Sequence, residues 1–196
     1  RSIRQILARW FTLVGNNEKS LELLQEKVEY NFSNPNLLTQ ALKHRSFVYS
    51  IDEASIESNE RLEFLGDAVL DLLVTESLYR RFIGKREGEL TQIKSLLVSK
   101  VVLAQKGREL GLGDYLFLSK EEDLAGGRDR NSIIGDAFEA MLGAIKGGQS
   151  SLPGFEKIGC ARGWMLKVAS HSCASKYIDT ANRKKDVVST TANILD

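Results

Sequence analysis

Residues 59–74, NERLEFLGDAVLDLLV, leave the fold little freedom. Apolar residues recur there at helical spacing, yet Glu60, Glu63, Asp67 and Asp71 run through the same stretch at steps of three, four and four. On a helix those carboxylates share one face. Leu62, Leu65, Val69, Leu72 and Leu73 supply an apolar side. The pattern predicts a long helix capped by Asn59, continuing through SLYRRF and stopping at Gly84. A second stretch, NSIIGDAFEAMLGAIK, echoes the first: Gly66-Asp67-Ala68 returns as Gly135-Asp136-Ala137, with Glu139 three residues on. A glycine before each aspartate lets two helix backbones approach. That approach would bring the pairs Glu63/Asp67 and Asp136/Glu139 together.

Four carboxylates in one space raise one another's pKa or destabilise the fold unless a cation neutralises them. No His or Cys accompanies these four, so the oxygen-only set suits Mg²⁺ or Mn²⁺ rather than zinc. One acidic pair on a helix is ordinarily a solvated face. Two pairs, each led by glycine on an apolar helix, point to a carboxylate metal site on a helical scaffold.

Elsewhere period 3.6 dominates, with almost no strict alternation and no Asn-Gly or Asp-Gly hairpin, so the fold class is all-α. Helices are expected over 2–13, through KSLELLQEKVEY with Leu21, Leu24 and Val28 on one face, from Asn34-Pro35 through SNPNLLTQALKHRSF, from Glu87 to Leu110, and over 155–169. Residues 112–130 read as a loop. The expected organisation is a helical extension over 1–17, a domain over 18–169 and a polar tail over 170–196.

With 42% hydrophobic and 27% charged residues the chain can bury a single core. No apolar run reaches the roughly 18–20 residues of a membrane span. The basic, amphipathic start lacks the form of a secretory signal. Cys160 and Cys173, without a CxxC or Cys/His cluster, indicate neither a zinc site nor a disulfide framework, and a reducing cytoplasmic setting is expected. A net charge of +1 says little by itself, and the front of the chain is not basic by total charge, so nucleic acid would be met by local groups such as Arg80, Arg81, Lys85, Arg86, Arg128 and Arg130. His44 reads as a structural hydrogen-bonder, and Asp71 as part of a solvated face.

NERLEFLGDAVL resembles the signature segment of ribonuclease III, the endonuclease of double-stranded RNA. The flanking segments VEYNFSNPNLLTQALKHRSF, KREGELTQIKSLLVSK and NSIIGDAFEAMLGAI are similar to the family's in order and spacing, over about residues 18–146. The resemblance implies the family's helical endonuclease fold acting as a homodimer. It also implies Mg²⁺-dependent hydrolysis of double-stranded RNA, with Mn²⁺ able to substitute, leaving 5′-phosphates and 3′-hydroxyls in rRNA or mRNA processing. By position it makes Glu63, Asp67, Asp136 and Glu139 the catalytic metal ligands, Glu139 foremost. Glu60 and Glu87 match further acidic positions, Lys94 a lysine near the site, and Phe64 an aromatic that enters the partner subunit. After GAIKGG the family's tyrosine-leucine-aspartate-glycine continuation is missing. No complete double-stranded-RNA-binding domain is expected after it. The competing reading is a catalytically inactive relative that binds structured RNA or associates with the ribosome.

Overall fold

The structure, a computed structural model, describes residues 21–148. The helices expected over 2–13 and 155–169, the extension, the tail, both cysteines and His171 lie outside the described residues. Within them, residues 21–27 form α1. There follow α2 (Pro35–Ala41), α3 (Arg45–Ser50), α4 (Glu60–Arg81), α5 (Glu87–Leu97), α6 (Lys100–Leu110), α7 (Leu112–Tyr115), α8 (Lys120–Leu124) and α9 (Asn131–Gly147). The described residues contain no strand; a lone parallel bridge joins Lys43 and Phe117. The all-α expectation holds. Among the described residues no helix is long and apolar enough to cross a membrane.

Helix α9 is the axis of the core. Of its 17 residues, 12 are buried, so it is enclosed by neighbours rather than laid on a surface. It packs against α4 and α6 along most of its length and against α2 and α7. Phe138, Met141 and Leu142 are fully enclosed, together with Leu24 of α1 and Leu38 of α2.

The crossing of α4 and α9 is a contact of backbones. A Cβ placed on Gly66 would lie 1.8 Å from the carbonyl oxygen of Glu139, and one on Gly143 would lie 2.0 Å from that of Leu62. Such distances are inside van der Waals contact, so both positions admit only glycine at this separation. The close approach expected of Gly66 is present, but its partner is Gly143. Gly135 faces α6 instead, where a Cβ would sit 3.1 Å from Cδ of Lys100.

Four local expectations are corrected. The helix expected from Glu87 to Leu110 is two helices, α5 and α6, separated at Val98-Ser99. Ser99 is extended (φ −65°, ψ 143°), and its hydroxyl donates to the carbonyl of Leu96 at 2.8 Å, which ends α5 and lets α6 set off in a new direction. The segment after Asn34 likewise divides into α2 and α3 around His44. Asn34 caps α2 as expected, accepting from the Asn36 amide at 3.1 Å. Asn59 stands at the α4 N-cap position but makes no cap bond. Its own N–H donates to the carbonyl of Lys43 at 2.9 Å, and its side chain is buried with Nδ2 unpartnered.

The expected loop 112–130 contains α7, α8 and a 3-10 turn over Gly127–Asp129. Arg128 holds it together. Its guanidinium grips both carboxylate oxygens of Asp123 at 2.8 and 3.1 Å and donates to the carbonyls of Gly113 and Leu116 at 2.9 and 3.0 Å. Arg130 is paired with Glu122 at 2.6 Å. Arg128 is thus a brace within the fold rather than a free cation, and Arg130 is tied to its neighbour.

Candidate metal centre

The Gly66–Gly143 contact decides where the charges meet. It sets the N-terminal half of α4 against the middle of α9. Glu63 then lies beside Asp136 and Glu139, with oxygens of all three within 4.8 Å of one another. Glu139 is 3% exposed and is the one buried acid among the described residues. Asp67 joins Glu60, Glu63, Phe64, Val98, Lys100 and Glu139 around an open cleft of about 560 Å³. A neighbouring cavity of about 400 Å³, lined by His44, Asn59, Arg130 and Ser132 among others, shares Glu60 and Glu63 and reaches Asp136.

One side chain at the centre was not singled out in the sequence. Lys100, the first residue of α6, donates from Nζ to Glu63 at 3.1 Å, to Glu139 at 2.7 Å and to Asp136. The only hint was Ser-Lys after LLV, and reading α5 and α6 as one helix concealed it. Gly135 leaves room for the Lys100 stem. Burial works against the charge on Lys100, but its bonds to Asp136 and Glu139 prevail and hold the ammonium above the ordinary lysine range. The acids fare differently. Burial raises the Glu139 carboxyl, Lys100 pulls it back, and Asp67 and Glu63 raise it again; the net direction is up. Glu63 is raised by burial and by Asp136, against the pull of Lys100. One ammonium gains from three acids, while each acid has only a share of one ammonium.

The remaining expected positions are dispersed. Glu60 sits at the cleft mouth, accepting from Ser58 Oγ at 3.3 Å, with Arg45 3.8 Å away. Lys94 lies away from the acidic cleft, paired with Asp71 at 2.8 Å. Asp71 is therefore half-exposed and paired rather than merely solvated. Glu87 accepts from Thr91 Oγ1 at 2.7 Å and lines, with Lys94, a separate groove of about 810 Å³. Phe64 is 81% exposed. His44 caps α3: the Ser46 amide donates to its Nδ1 at 3.3 Å, and the Ser46 hydroxyl, 2.8 Å from Nδ1, accepts from the Ser119 amide at 3.1 Å. Burial lowers its pKa despite the nearby Glu122.

The chain as a whole is similar to known proteins. Residues 34–151 match the family model described as Ribonuclease-III-like. The chain belongs to the ribonuclease-III-like family. It is 46% identical over 127 residues to Ribonuclease 3 of Fusobacterium nucleatum, covering 65% of this chain and 54% of that one. It is 52% identical over 124 residues to Ribonuclease 3 of Oleidesulfovibrio alaskensis, covering 63% and 54%. The chain thus spans about half the length of the curated relatives it matches. Its fold is similar to the crystal structure of the nuclease domain of ribonuclease III from Campylobacter jejuni, with a TM-score of 0.67 and 38% identity, covering 79% of this chain and 99% of that one. A second structure of that domain, described for flexibility in the region involved in dimer formation, matches at a TM-score of 0.66 and 37% identity over 76% and 95% of the two chains. Both acidic helices, α4 and α9, lie within the matched residues.

The donor set fits a hard divalent cation. Three carboxylate oxygens converge, among the described residues no histidine or cysteine joins their group, and the cleft leaves an open side for water and phosphate. Glu63, Asp136 and Glu139 are the residues placed to hold it, with Asp67 alongside.

Proposed function

We propose that this domain hydrolyses phosphodiester bonds in double-stranded RNA with Mg²⁺ as its cofactor, Mn²⁺ substituting, and yields 5′-phosphate and 3′-hydroxyl ends. The observation that carries this reading is a buried carboxylate, Glu139, grouped with Glu63 and Asp136 at the wall of an open cleft. A fold gains nothing in stability from sinking an acid among acids. A site that must bind a divalent ion does need them there.

A bound divalent cation would supply a readied water nucleophile and charge stabilisation at the phosphoryl oxygens. The protein's part is to keep the ligands ionised and spaced. Glu63, Asp136 and Glu139 offer one oxygen each to a common point. Asp67 and Glu60 line the same cleft, where their carboxylates could accept from water entering with the substrate. Duplex RNA would be recognised by its A-form shape, phosphates and 2′-hydroxyls, because its deep groove conceals the bases. Lys85 and Arg80 are tied in i,i+4 pairs to Glu89 and Glu76 at the surface, from which they can exchange to phosphate. The substrates are precursors of rRNA or mRNA.

The working unit in this proposal is a homodimer. Phe64, Leu72 and Tyr79 stand exposed along one side of α4, an apolar row with no cover in the monomer. Phe64 borders the acidic cleft, so a partner docking there would complete its wall.

The test is cleavage of a long duplex RNA at low salt with Mg²⁺, with Ca²⁺ and with EDTA, using the native chain and Glu139→Gln. Short duplex fragments from the native chain with Mg²⁺ alone support the proposal. Intact RNA in every lane, from folded protein, would favour the inactive RNA-binding relative, in which Lys100 makes the acidic cluster a structural ion-pair network.

A further inference from the structure

We infer that Lys100 is a resident counter-cation of the acidic site, and that a divalent ion binds by exchange with it. The inference rests on the metal reading above and adds a positioning residue to it. Lys100 Nζ occupies the point on which Glu63, Asp136 and Glu139 converge. A small divalent ion takes its oxygens at about 2.0–2.1 Å, so it would need that same point. Two cations cannot share it: the repulsion at such a separation, in a half-buried site, far exceeds thermal energy.

The surroundings are built for both states. In the metal-free state the side chain is held in place. Val98-Ser99 turns α6 so that its first residue faces α9, and Gly135 leaves space for the stem, which a Cβ would crowd at 3.1 Å. Without a cation the three acids would repel, and the α4–α9 contact that groups them would bear that strain. Lys100 therefore keeps the ligands gathered before the metal arrives. In the metal-bound state it has an exit. Its side chain is 43% exposed and borders the open cleft, and its four-carbon stem can swing the ammonium to the mouth beside Glu60 and Asp67. There it faces the side from which a phosphate would enter. Lys94, by contrast, has one acid, Asp71, and no competing ion to make way for.

Exchange has a signature that a purely structural ion pair lacks: the amine of Lys100 becomes more reactive when metal binds. The experiment is lysine acetylation of the native protein, followed residue by residue by mass spectrometry, with and without Mn²⁺. Mn²⁺ binding is measured in parallel by electron paramagnetic resonance on native protein and Lys100→Met. Expected are an increase in Lys100 labelling on the order of tenfold at saturating Mn²⁺, constant labelling of Lys94, and Mn²⁺ affinity higher in Lys100→Met by a similar factor, equivalent to one charge contact of about 1.4 kcal/mol. Should Lys100→Met fail to fold, the labelling of native protein decides alone. Mn²⁺ bound while Lys100 labelling stays constant would overturn exchange and leave the metal site standing. No Mn²⁺ bound to the native protein would overturn the metal site, and exchange with it.

Discussion

Two acidic places on this domain contain similar residues and behave differently. Around the groove beside the C-terminal half of α4, Asp71 meets Lys94, Lys85 meets Glu89, and Glu76 meets Arg80, while Glu87 accepts from Thr91. Each acid of the three pairs has a base of its own, and all lie at the surface. In the cleft between α4 and α9, Glu63, Asp136 and Glu139 share the single ammonium of Lys100, and one of them is buried. In the three pairs of the groove the charges balance one to one. The second place sets three acids against one base, an excess of negative charge that a divalent ion in the place of Lys100 would offset more fully. What sets the two places apart is therefore the ratio of acids to bases within reach, together with burial, rather than the number of acids along a helix.

The largest expected effect falls on the unbalanced cluster. Glu139→Gln should reduce RNA cleavage by about a thousandfold or more, because the buried ligand organises the electrostatic stabilisation of the reaction. A gel-based rate at saturating Mg²⁺ checks it. The same substitution should raise Tm in EDTA at pH 7. The Glu139 and Glu63 carboxyls titrate above their ordinary 4.5 in the fold. A raised carboxyl favours the protonated fold, so its stabilisation is present at pH below 4.5 and disappears as pH rises through the raised value. Glutamine keeps the neutral shape at every pH. A lower Tm for Glu139→Gln would mean that the Lys100 contacts outweigh the burial of the charge.

Next comes the packing that creates the cluster. Gly66→Ala should destabilise the domain by about 3 kcal/mol or more, since its methyl would enter the Glu139 carbonyl and force the helices apart. Gly84→Ala, with nothing within 4 Å of the new methyl, should change stability by less than about 0.5 kcal/mol. Urea unfolding of both variants measures the contrast. A smaller effect is expected in the balanced groove. Lys94→Met should cost under about 1 kcal/mol by the same measurement, as exposed pairs do, and leave Mn²⁺ affinity unchanged. A change in metal affinity would bring Lys94 back to the site its sequence position implies.

The smallest effect concerns His44. Burial lowers its pKa from 6.5, and its Nδ1 must be unprotonated to cap α3. The fold binds fewer protons there than the unfolded chain does. The stability it contributes is therefore present above pH 6.5 and lost as pH falls through the lowered value. Tm measured between pH 7 and 5 should fall less in His44→Asn, which retains a capping oxygen without a titration.

The sequence announced this architecture where pattern and packing coincide. Alternation of apolar and acidic positions in α4, the Asn34-Pro35 start of α2 and the Gly-Asp echo in α9 were all readable, because each depends on spacing along one helix. The three carboxylates that the structure groups, and Asp67 on the same cleft, could be named as candidates for that reason. What was not readable depends on direction. The division between α5 and α6 turns on a serine hydroxyl answering a carbonyl one turn back, and a helical period runs through it undisturbed. Lys100 was hidden by that division, while Lys94, the lysine expected near the site, is paired with Asp71. Gly143 was hidden too, since its role appears only when a second helix is laid across it.

The reciprocal contact of Gly66 with Glu139 and of Gly143 with Leu62 has one more consequence. Two notches, each filled by the other helix's main chain, form a lock against sliding. Moving α4 along α9 by a single residue would drive the side chain of Leu65 or Asp67 into a slot that has no volume for it. Register between the two helices is therefore discrete. The spacing of the carboxylates is inherited from that lock as a fixed quantity, and thermal motion of the domain can rock the two helices but cannot shift the acids past one another.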